Sequence, residues 1–306
     1  MIESRLHGTI LTPGGWVRGS LVIGAAGRIA AIEASAGKEC NQQHIIPGFI
    51  DLHVHGGDGA DVMQGGTAGS RIARLHARHG TTSLLATTRT APHAEISKAL
   101  ADLAPATKIR PVGGARILGI HLEGPYISPK KLGAQPANTC SGNWENLEHY
   151  CSKAPIRVVT LAPEVAGNQD LTRQLVDAGI RAQIGHSLAT YEEGLTALQS
   201  GATSFTHLFN AMSGLHHRAP GLVGTALAHA EFAELIPDLL HVHPGAIRVA
   251  LRAIPKLYCV TDATAATGMP DGSYLLGSQQ VHKCLGGVRL ASGLFVSSPS
   301  IGNDEG

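Results

Sequence analysis

The chain has 306 residues, of which 43% are hydrophobic and 15% charged, so it can bury one large core or a barrel with a small second domain. Its formal net charge of +1 argues against binding to nucleic acid or to a membrane surface through bulk charge. The five cysteines form no CxxC pair, which argues against a zinc ribbon or a redox dithiol, and their scattered positions fit a reducing cytoplasm. We expect neither a signal peptide nor an apolar run long enough to span a bilayer.

The order of the predicted elements indicates the fold class. Residues 1–44 are predicted to form short strands with glycine turns. From residue 45 onward, short apolar runs alternate with amphipathic segments, which is typical of a (β/α)8 TIM-type barrel. The predicted helices include 70–79, 94–103, 171–178, 191–200 and 244–253. The predicted strands are 45–55, 82–88, 117–123, 156–163, 182–186, 204–209, 233–241 and 257–262, although 228–240 could be partly helical.

Polar residues follow or end these apolar runs. His53 and His55 end the first run, and side chains two residues apart on a strand point to the same face, so the pair could bind one ion. Either histidine alone could also be a hydrogen-bonded structural residue. Because a barrel gathers the carboxyl ends of its strands around one mouth, we expect the polar residues of the other runs to lie near them. These are Glu123, His186, His207, Asn210, His241 and Asp262.

The types of these residues indicate a hydrolytic metal site. Glu123 with His186 and His207 makes a common catalytic zinc set that leaves a position for water. Asp262 could move a proton between that water and the leaving group, and His241 could polarise a carbonyl or bind a substrate oxygen. Other interpretations stay open: Glu123 as a general base, a helix-cap partner or part of a salt bridge, Asp262 as a helix N-cap, and His241 as a core histidine. The set as a whole predicts hydrolysis of an amide or related C–N bond.

Seven motifs in order carry a resemblance to a known family. They are PGFIDLHVHG (47–56), HLEGPYISPKKLGA (121–134), TLAPE (160–164), GHS (185–187), THLFNAM (206–212), PGLVG (220–224) and VTDATAATG (260–268). On these motifs the chain resembles the N-acetylglucosamine-6-phosphate deacetylase family of the amidohydrolase superfamily. The resemblance implies a cytoplasmic homodimer that removes acetate from N-acetyl-D-glucosamine 6-phosphate to give glucosamine 6-phosphate.

The resemblance also implies an architecture. A small β-sandwich built from both termini would accompany the barrel, with boundaries at 1–44 and 272–306 for the sandwich and 45–271 for the barrel. The match ends near residue 293, so the sandwich is expected to be incomplete, with an unrelated tail from about residue 294 and reduced stability.

The resemblance further implies the role of each site residue. Glu123, His186 and His207 would hold the catalytic metal, and His53 and His55 would hold a second ion with Glu123 as a bridge. Asp262 would act first as general base and then as acid, and His241 would contact the substrate near its carbonyl. The other implied substrate-binding residues are Ala134, Asn210, Ala211 and Arg218, the last through phosphate. Zinc suits these ligands best, although iron, cobalt or manganese would also fit.

One departure from the family lies close to the site. Gln135 stands where many family members have a histidine, so affinity or selectivity is expected to differ. Two alternatives to the deacetylase hypothesis remain: another metal-dependent amidohydrolase, such as a cyclic amidase or a nucleobase deaminase, or an inactive, truncated metal-binding barrel.

Overall fold

Two units make up the part of the chain that the computed structural model describes, namely residues 4–35, 43–276, 279–284, 287–290 and 295–297. The first unit comprises residues 1–49 and the second residues 50–306. The boundaries expected from the resemblance, at residues 44 and 271, stay a prediction.

The first unit is a four-stranded sheet with the order β3-β2-β1-β4. The β1–β2 and β2–β3 ladders are antiparallel, and β4 runs parallel to β1. Pro13 and Gly14 connect the first two strands, because proline fixes a turn-forming φ and glycine tolerates a tight connection. The strands are β1 (Ser4–Thr12), β2 (Gly15–Ile23), β3 (Ile29–Ala34) and β4 (His44–Ile45).

Eight strands form the barrel of the second unit, and they follow chain order around the sheet. The ladders from β6 to β12 are all parallel. Most of their apolar side chains are buried, as expected for parallel strands covered by helices, although Phe49 and Ile50 at the start of β5 are exposed. The strands are β5 (Phe49–Val54), β6 (Thr81–Thr87), β7 (Arg116–Glu123), β8 (Ile156–Leu161), β9 (Arg181–Ile184), β10 (Ser204–Phe205), β11 (Phe232–Leu235) and β12 (Lys256–Cys259).

The barrel closes where the end of β5 meets the segment that follows β12. Val54 and Ala263 form a parallel bridge, and the Ala263 carbonyl accepts hydrogen bonds from the N–H groups of His55 and Gly56, each at 2.8 Å. The N–H of Asp262 donates to the His53 carbonyl at 3.0 Å. This closure places two predicted metal ligands beside the predicted general base.

Seven α-helices lie between successive barrel strands. Three of them begin with a side-chain N-cap, and α5, for example, has a capping box in which Thr190 and Glu193 satisfy each other's backbone N–H groups. A short hairpin (Gly56–Gly57 with Ala60–Asp61) and a 3-10 helix (Val62–Gln64) precede α1. The helices are α1 (Ala68–Arg78), α2 (His93–Lys108), α3 (Trp144–Lys153), α4 (Asn168–Asp177), α5 (Tyr191–Gln199), α6 (Gly221–His229) and α7 (Pro244–Ala253). In the described ranges, none of the helices has the length and hydropathy needed to cross a membrane.

An antiparallel sheet follows the barrel in the order β13-β14-β15-β16. Val281 and Val288 are buried against Ala266 at its centre. Its strands are β13 (Gly272–Leu276), β14 (Gln279–Cys284), β15 (Gly287–Leu290) and β16 (Phe295–Ser297). Of the predicted unrelated tail, 295–297 pair with β15, while residues 294 and 298–306 lie outside the described residues.

These observations confirm the predicted fold class, a parallel eight-stranded barrel with separate smaller sheets. Several predicted strands end earlier than expected, and the sixth and seventh predictions overshoot the most. The seventh was predicted to reach His241 and ends at Leu235, because Pro237 lacks the N–H that a further ladder bond needs. The sixth was predicted to reach Phe209 and ends at Phe205, because His207 and Phe209 adopt left-handed backbone conformations that break the ladder.

Candidate active site

The carboxyl ends of the barrel strands surround a cavity of ≈ 320 Å³. Most of the predicted site residues line this cavity. His53 is fully buried and is not part of the lining, and Arg218 is exposed on the connection between β10 and α6. The predicted residues that do line it are His55, Glu123, Ala134, His186, His207, Asn210, Ala211, His241 and Asp262.

Three of the predicted metal-binding and catalytic residues have left-handed backbone conformations. The φ angles are 48° at His186, 30° at His207 and 48° at Asp262, a region that costs free energy for any residue with a Cβ. Each lies just beyond the strand it follows, so the turn points the side chain away from the direction the strand would give it. Backbone strain of this kind clusters at functional sites, which supports a functional origin for all three conformations.

Glu123, His186 and His207 converge on one point. Glu123 Oε1 lies 3.1 Å from His186 Nε2 and 3.2 Å from His207 Nε2, and the two Nε2 atoms are 3.0 Å apart. The three residues are buried and come from the ends of β7, β9 and β10. The predicted catalytic metal set is thus brought together.

His53, His55 and Asp262 form a second cluster against the other side of Glu123. The two Nε2 atoms of His53 and His55 lie 3.1 Å apart. His55 Nε2 is 3.1 Å from Glu123 Oε2, and Asp262 Oδ1 is 3.3 Å from the same nitrogen and 3.4 Å from His53 Nε2. Glu123 Oε2 therefore faces His55, whereas Oε1 faces His186 and His207 and also lies 3.4 Å from His53 Nε2.

Hydrogen bonds on the far side of three imidazoles fix their tautomers. His186 Nδ1 donates to the Lys131 carbonyl at 2.9 Å, and His55 Nδ1 donates to the Thr87 carbonyl at 3.1 Å. His53 Nδ1 lies 3.0 Å from the Glu234 carboxylate. A carbonyl or carboxylate can only accept, so the neutral form of each ring carries its proton on Nδ1 and a lone pair on Nε2.

This donor set fits a divalent metal. Lone pairs on His53 and His55 face each other at close range, which is unfavourable unless a cation or a proton lies between them. Ligand atoms about 2.0–2.1 Å from a tetrahedral zinc lie roughly 3.3–3.4 Å from one another, close to the separations in both clusters. Bonds from ligating imidazoles to carbonyl and carboxylate groups are also typical of metal sites.

The electrostatics of the site favour a cation at the same place. Burial disfavours charge on His53, yet Asp262, Glu123 and Glu234 raise the pKa of its imidazole well above the ordinary value. Burial would raise the pKa of Glu123, yet the imidazoles of His53 and His186 hold it well below its usual range. The carboxylates thus create a strongly negative local potential that a bound cation would neutralise.

Comparison with known proteins places the chain in a family. The amidohydrolase family matches residues 44–272. The chain is 43% identical over 289 residues to the N-acetylglucosamine-6-phosphate deacetylase of Vibrio furnissii, covering 89% of this chain and 71% of the relative. The chain belongs to the amidohydrolase family.

Two further proteins are similar over most of this amidohydrolase. The N-acetylgalactosamine-6-phosphate deacetylase of Escherichia coli O157:H7 is 39% identical, over 94% of this chain and 78% of the relative. A similar solved structure is that of a mutant N-acetyl-D-glucosamine-6-phosphate deacetylase from Mycobacterium smegmatis in complex with N-acetyl-D-glucosamine-6-phosphate. The two structures have a TM-score of 0.88 and a sequence identity of 32%, and the match covers 98% of this chain and 81% of that chain. The family recognised from the sequence motifs is therefore confirmed.

Sequence reasoning missed Glu234, a carboxylate within the site of this amidohydrolase. Glu234 is fully buried in β11, lies 3.0 Å from His53 Nδ1 and accepts a hydrogen bond from the His207 N–H at 3.3 Å. It therefore supports one residue from each histidine cluster. A single acidic residue within an apolar strand was the available signal, since a buried charge needs a partner.

Two other polar contacts were not predicted. Gln135 donates a hydrogen bond to Glu123 Oε2. Asp238 Oδ2 accepts a hydrogen bond from His241 Nδ1 at 2.7 Å. The first contact involves a predicted metal ligand and the second a predicted substrate-binding residue, so both matter for the chemistry of this amidohydrolase.

Proposed function

We propose that this amidohydrolase removes the acetyl group of N-acetyl-D-glucosamine 6-phosphate, giving acetate and glucosamine 6-phosphate. The observation that carries the proposal is the convergence of Glu123, His186 and His207, with Asp262 next to the neighbouring histidine pair, in one cavity. The 43% identity to a relative named for this reaction supports the choice of substrate.

Glu123, His186 and His207 would hold the catalytic ion, and His53, His55 and Glu123 would hold a second. Such an ion, when bound, polarises a carbonyl group and lowers the pKa of water. Zinc suits imidazole and carboxylate ligands at these separations, and iron, cobalt and manganese stay candidates. A capacity for one or two ions per chain is part of the proposal.

Asp262 would carry the proton during hydrolysis. Burial would raise the pKa of this carboxyl, but the imidazoles of His53 and His55 hold it below its ordinary value, so the group is a carboxylate at neutral pH. As a base, Asp262 takes a proton from the water whose oxygen bonds to the acetyl carbon. The same proton then passes to the amide nitrogen as the C–N bond breaks, and the amine and acetate leave.

The remaining lining residues would bind and orient the sugar. His241 uses Nδ1 for Asp238, so any contact with the acetyl oxygen falls to Nε2. Asn210, Ala211 and Ala134 line the cavity where sugar and phosphate would lie, and Lys130 and Lys131 add positive charge there. The Arg218 guanidinium, which suits phosphate through its planar fork, is exposed outside the lining, so its phosphate role stays a prediction.

A cytoplasmic homodimer is part of the same proposal and rests on the resemblance alone. Light scattering of the purified protein checks the oligomeric state. A monomer that turns over substrate would remove the dimer from the proposal without affecting the chemistry.

The proposal is tested by measuring acetate release from N-acetylglucosamine 6-phosphate with defined added metals. Wild-type protein is expected to show metal-dependent turnover. In Asp262→Asn the turnover rate should fall about 10²–10⁴-fold, the usual contribution of a general acid–base group. Metal content, measured alongside, separates lost chemistry from lost metal. A folded, metal-loaded protein without turnover would overturn the proposal and favour an inactive barrel.

N-acetylgalactosamine 6-phosphate is the second candidate substrate, because a relative 39% identical to this chain is named for it. The two sugars differ only in the orientation of one hydroxyl. Comparing kcat/KM for the two phosphates decides between them. Unphosphorylated N-acetylglucosamine and a cyclic amide serve as further substrates, and faster turnover of the cyclic amide would favour another amidohydrolase reaction.

A further inference from the structure

Gln135 is a buried amide held at both ends. Its side chain lies in the cavity wall with a residue exposure of 5%. Its Oε1 accepts a hydrogen bond from the backbone N–H of Thr90 at 2.8 Å, and its Nε2 donates to Glu123 Oε2. The Gln135 N–H also donates to the Leu132 carbonyl at 2.8 Å, which fixes the backbone from which the side chain extends.

The chemistry of the two partners determines which way the amide points. A backbone N–H can only donate, so the atom facing Thr90 must be the Gln135 oxygen. A carboxylate can only accept, so the NH2 group must face Glu123. Reversing the amide would place oxygen against oxygen and N–H against N–H, and both buried hydrogen bonds would be lost.

Glu123 is a carboxylate whose two oxygens serve different partners. Oε1 faces His186 and His207 Nε2 at 3.1 and 3.2 Å and lies 3.4 Å from His53 Nε2. Oε2 faces His55 Nε2 at 3.1 Å and also accepts from Gln135. The bond from Gln135 therefore resists rotation of the carboxylate about its last carbon–carbon bond and keeps Oε2 on the His55 side.

We propose that Gln135 is a positioning residue that holds Glu123 as a bridge between two metal ions. Without its donor, Oε2 loses a charge-assisted hydrogen bond and the carboxylate is free to rotate toward His186 and His207. The ion held by His53, His55 and Oε2 would lose a well-placed ligand, whereas the ion held by Oε1, His186 and His207 would keep all three. This inference rests on the metal-binding part of the proposed function and not on the identity of the substrate.

The experiment is a zinc titration of metal-free protein in competition with a chromophoric chelator, with metal content measured by mass spectrometry. Wild-type protein is expected to bind two zinc ions per chain. Gln135→Met keeps the side-chain volume and removes the donor. We expect it to lower the affinity for the ion at His53 and His55 about 10–100-fold, as loss of a partner to a metal ligand typically does. The affinity for the ion at His186 and His207 should stay within a few-fold of the wild type. Gln135→His, which restores an N–H donor, is expected to recover most of the second-ion affinity.

Gln64→Met is the matched control, because Gln64 also accepts from a backbone N–H, that of Asp61, but lies at the cap of the 3-10 helix. Its two zinc affinities should equal those of the wild type. If Gln135→Met does not fold, Gln135→Asn shortens the side chain so that the amide no longer reaches Glu123, while keeping its polarity.

The inference is wrong if wild-type protein binds only one ion, if the Gln135 variant binds both ions normally, or if the variant's affinity for both ions falls equally. The titration contains no sugar, so the expected pattern in a protein that fails to release acetate would uphold this inference and overturn only the proposed function.

Discussion

Asp238 and His241 are joined by a hydrogen bond of 2.7 Å from the imidazole Nδ1 to carboxylate Oδ2. The other carboxylate oxygen, Oδ1, accepts from the backbone N–H groups of Leu240 and His241, both at 2.9 Å. Burial would raise the pKa of Asp238, but these hydrogen bonds keep it below its ordinary value. One carboxylate thus shapes the loop after β11 and orients the ring that the loop carries into the cavity.

Replacing Asp238 is expected to impair catalysis without loss of metal. In Asp238→Ala the His241 ring loses its partner, and we expect kcat/KM for N-acetylglucosamine 6-phosphate to fall by about 10-fold or more, since small misplacements of a contacting group are costly. Asp238→Asn keeps an acceptor oxygen, so its kcat/KM is expected to fall less than that of the alanine variant. Asp170→Ala, which removes a carboxylate from an exposed pair with Arg173, is the control. Unchanged kinetics in Asp238→Ala would show that the ring needs no support.

Glu234 is expected to contribute both to stability and to binding of the second ion. In Glu234→Leu, the His53 Nδ1–H is left buried without its acceptor, which costs about 1–3 kcal/mol of unfolding free energy. The loosened ring should also weaken zinc binding at the His53–His55 pair about 10–100-fold. Urea unfolding and chelator competition measure the two effects.

Two variants separate the His53 bond from the rest of the Glu234 environment. Glu234→Gln keeps an acceptor for His53 and is expected to lose less affinity than the leucine variant. Tyr258→Phe removes the hydroxyl that lies 3.4 Å from Glu234 Oε1 and leaves the His53 contact intact, so its zinc affinity should match the wild type. Equal zinc affinity in Glu234→Leu and the wild type would contradict this account.

The barrel and most of its mouth could be predicted because both leave local signals. Short apolar runs separated by amphipathic helices predict parallel strands, and the topology alone then gathers Glu123, His186 and Asp262. Helix α6 was not among the predicted helices, because Leu222, Val223 and Ala226 are all buried and the segment is apolar on nearly every face, so it shows no amphipathic period.

Contacts between residues distant in sequence could not be predicted. Glu234 is separated by 181 positions from His53, and nothing near it in the chain shows that an imidazole will meet it. The contact of Gln135 with Glu123 depends on how a loop folds back over the barrel mouth. The ends of the strands were also missed, since the left-handed turns at His207 and Asp262 are set by the site and not by residue propensity.

Arg89, which lines the cavity of the candidate active site, forms a buried ion pair with Asp61, and their coupling can be measured. Arg89 Nη2 lies 2.5 Å from Asp61 Oδ2, and each residue is 4% exposed. Asp61→Asn keeps the helix cap but leaves the guanidinium without its counter-charge, so we expect a loss of about 3–5 kcal/mol in unfolding free energy. The double variant with Arg89→Met should recover part of that loss, because no unpaired charge remains. Urea unfolding of the four proteins gives the coupling energy, and additive effects would mean that the pair does not interact.

His76 is expected to make stability depend on pH between about 4 and 6.5. Burial in α1 is the main cause that lowers the pKa of its imidazole from 6.5 to about 4. The ring donates from Nε2 to the Gly56 carbonyl at 3.1 Å, and Nδ1, where a second proton would bind, is buried without a hydrogen-bond partner in the ranges that the structure describes. A charged His76 would therefore be buried with one N–H unsatisfied.

The direction of this pH effect on stability depends on whether the folded or the unfolded chain binds the proton more readily. Between pH 6.5 and about 4 the unfolded chain protonates this histidine and the folded chain does not, so the folded state loses stability as the pH falls. The slope approaches about 1.4 kcal/mol per pH unit, and the full loss below both pKa values is about 3 kcal/mol. His76→Gln can keep a donor for Gly56 and has no proton to bind, so its unfolding free energy should fall less steeply over this range. Urea unfolding at half-unit steps of pH measures both slopes, with the exposed His79→Gln variant as control. Parallel curves for His76→Gln and the wild type would show that His76 titrates alike in the folded and unfolded states.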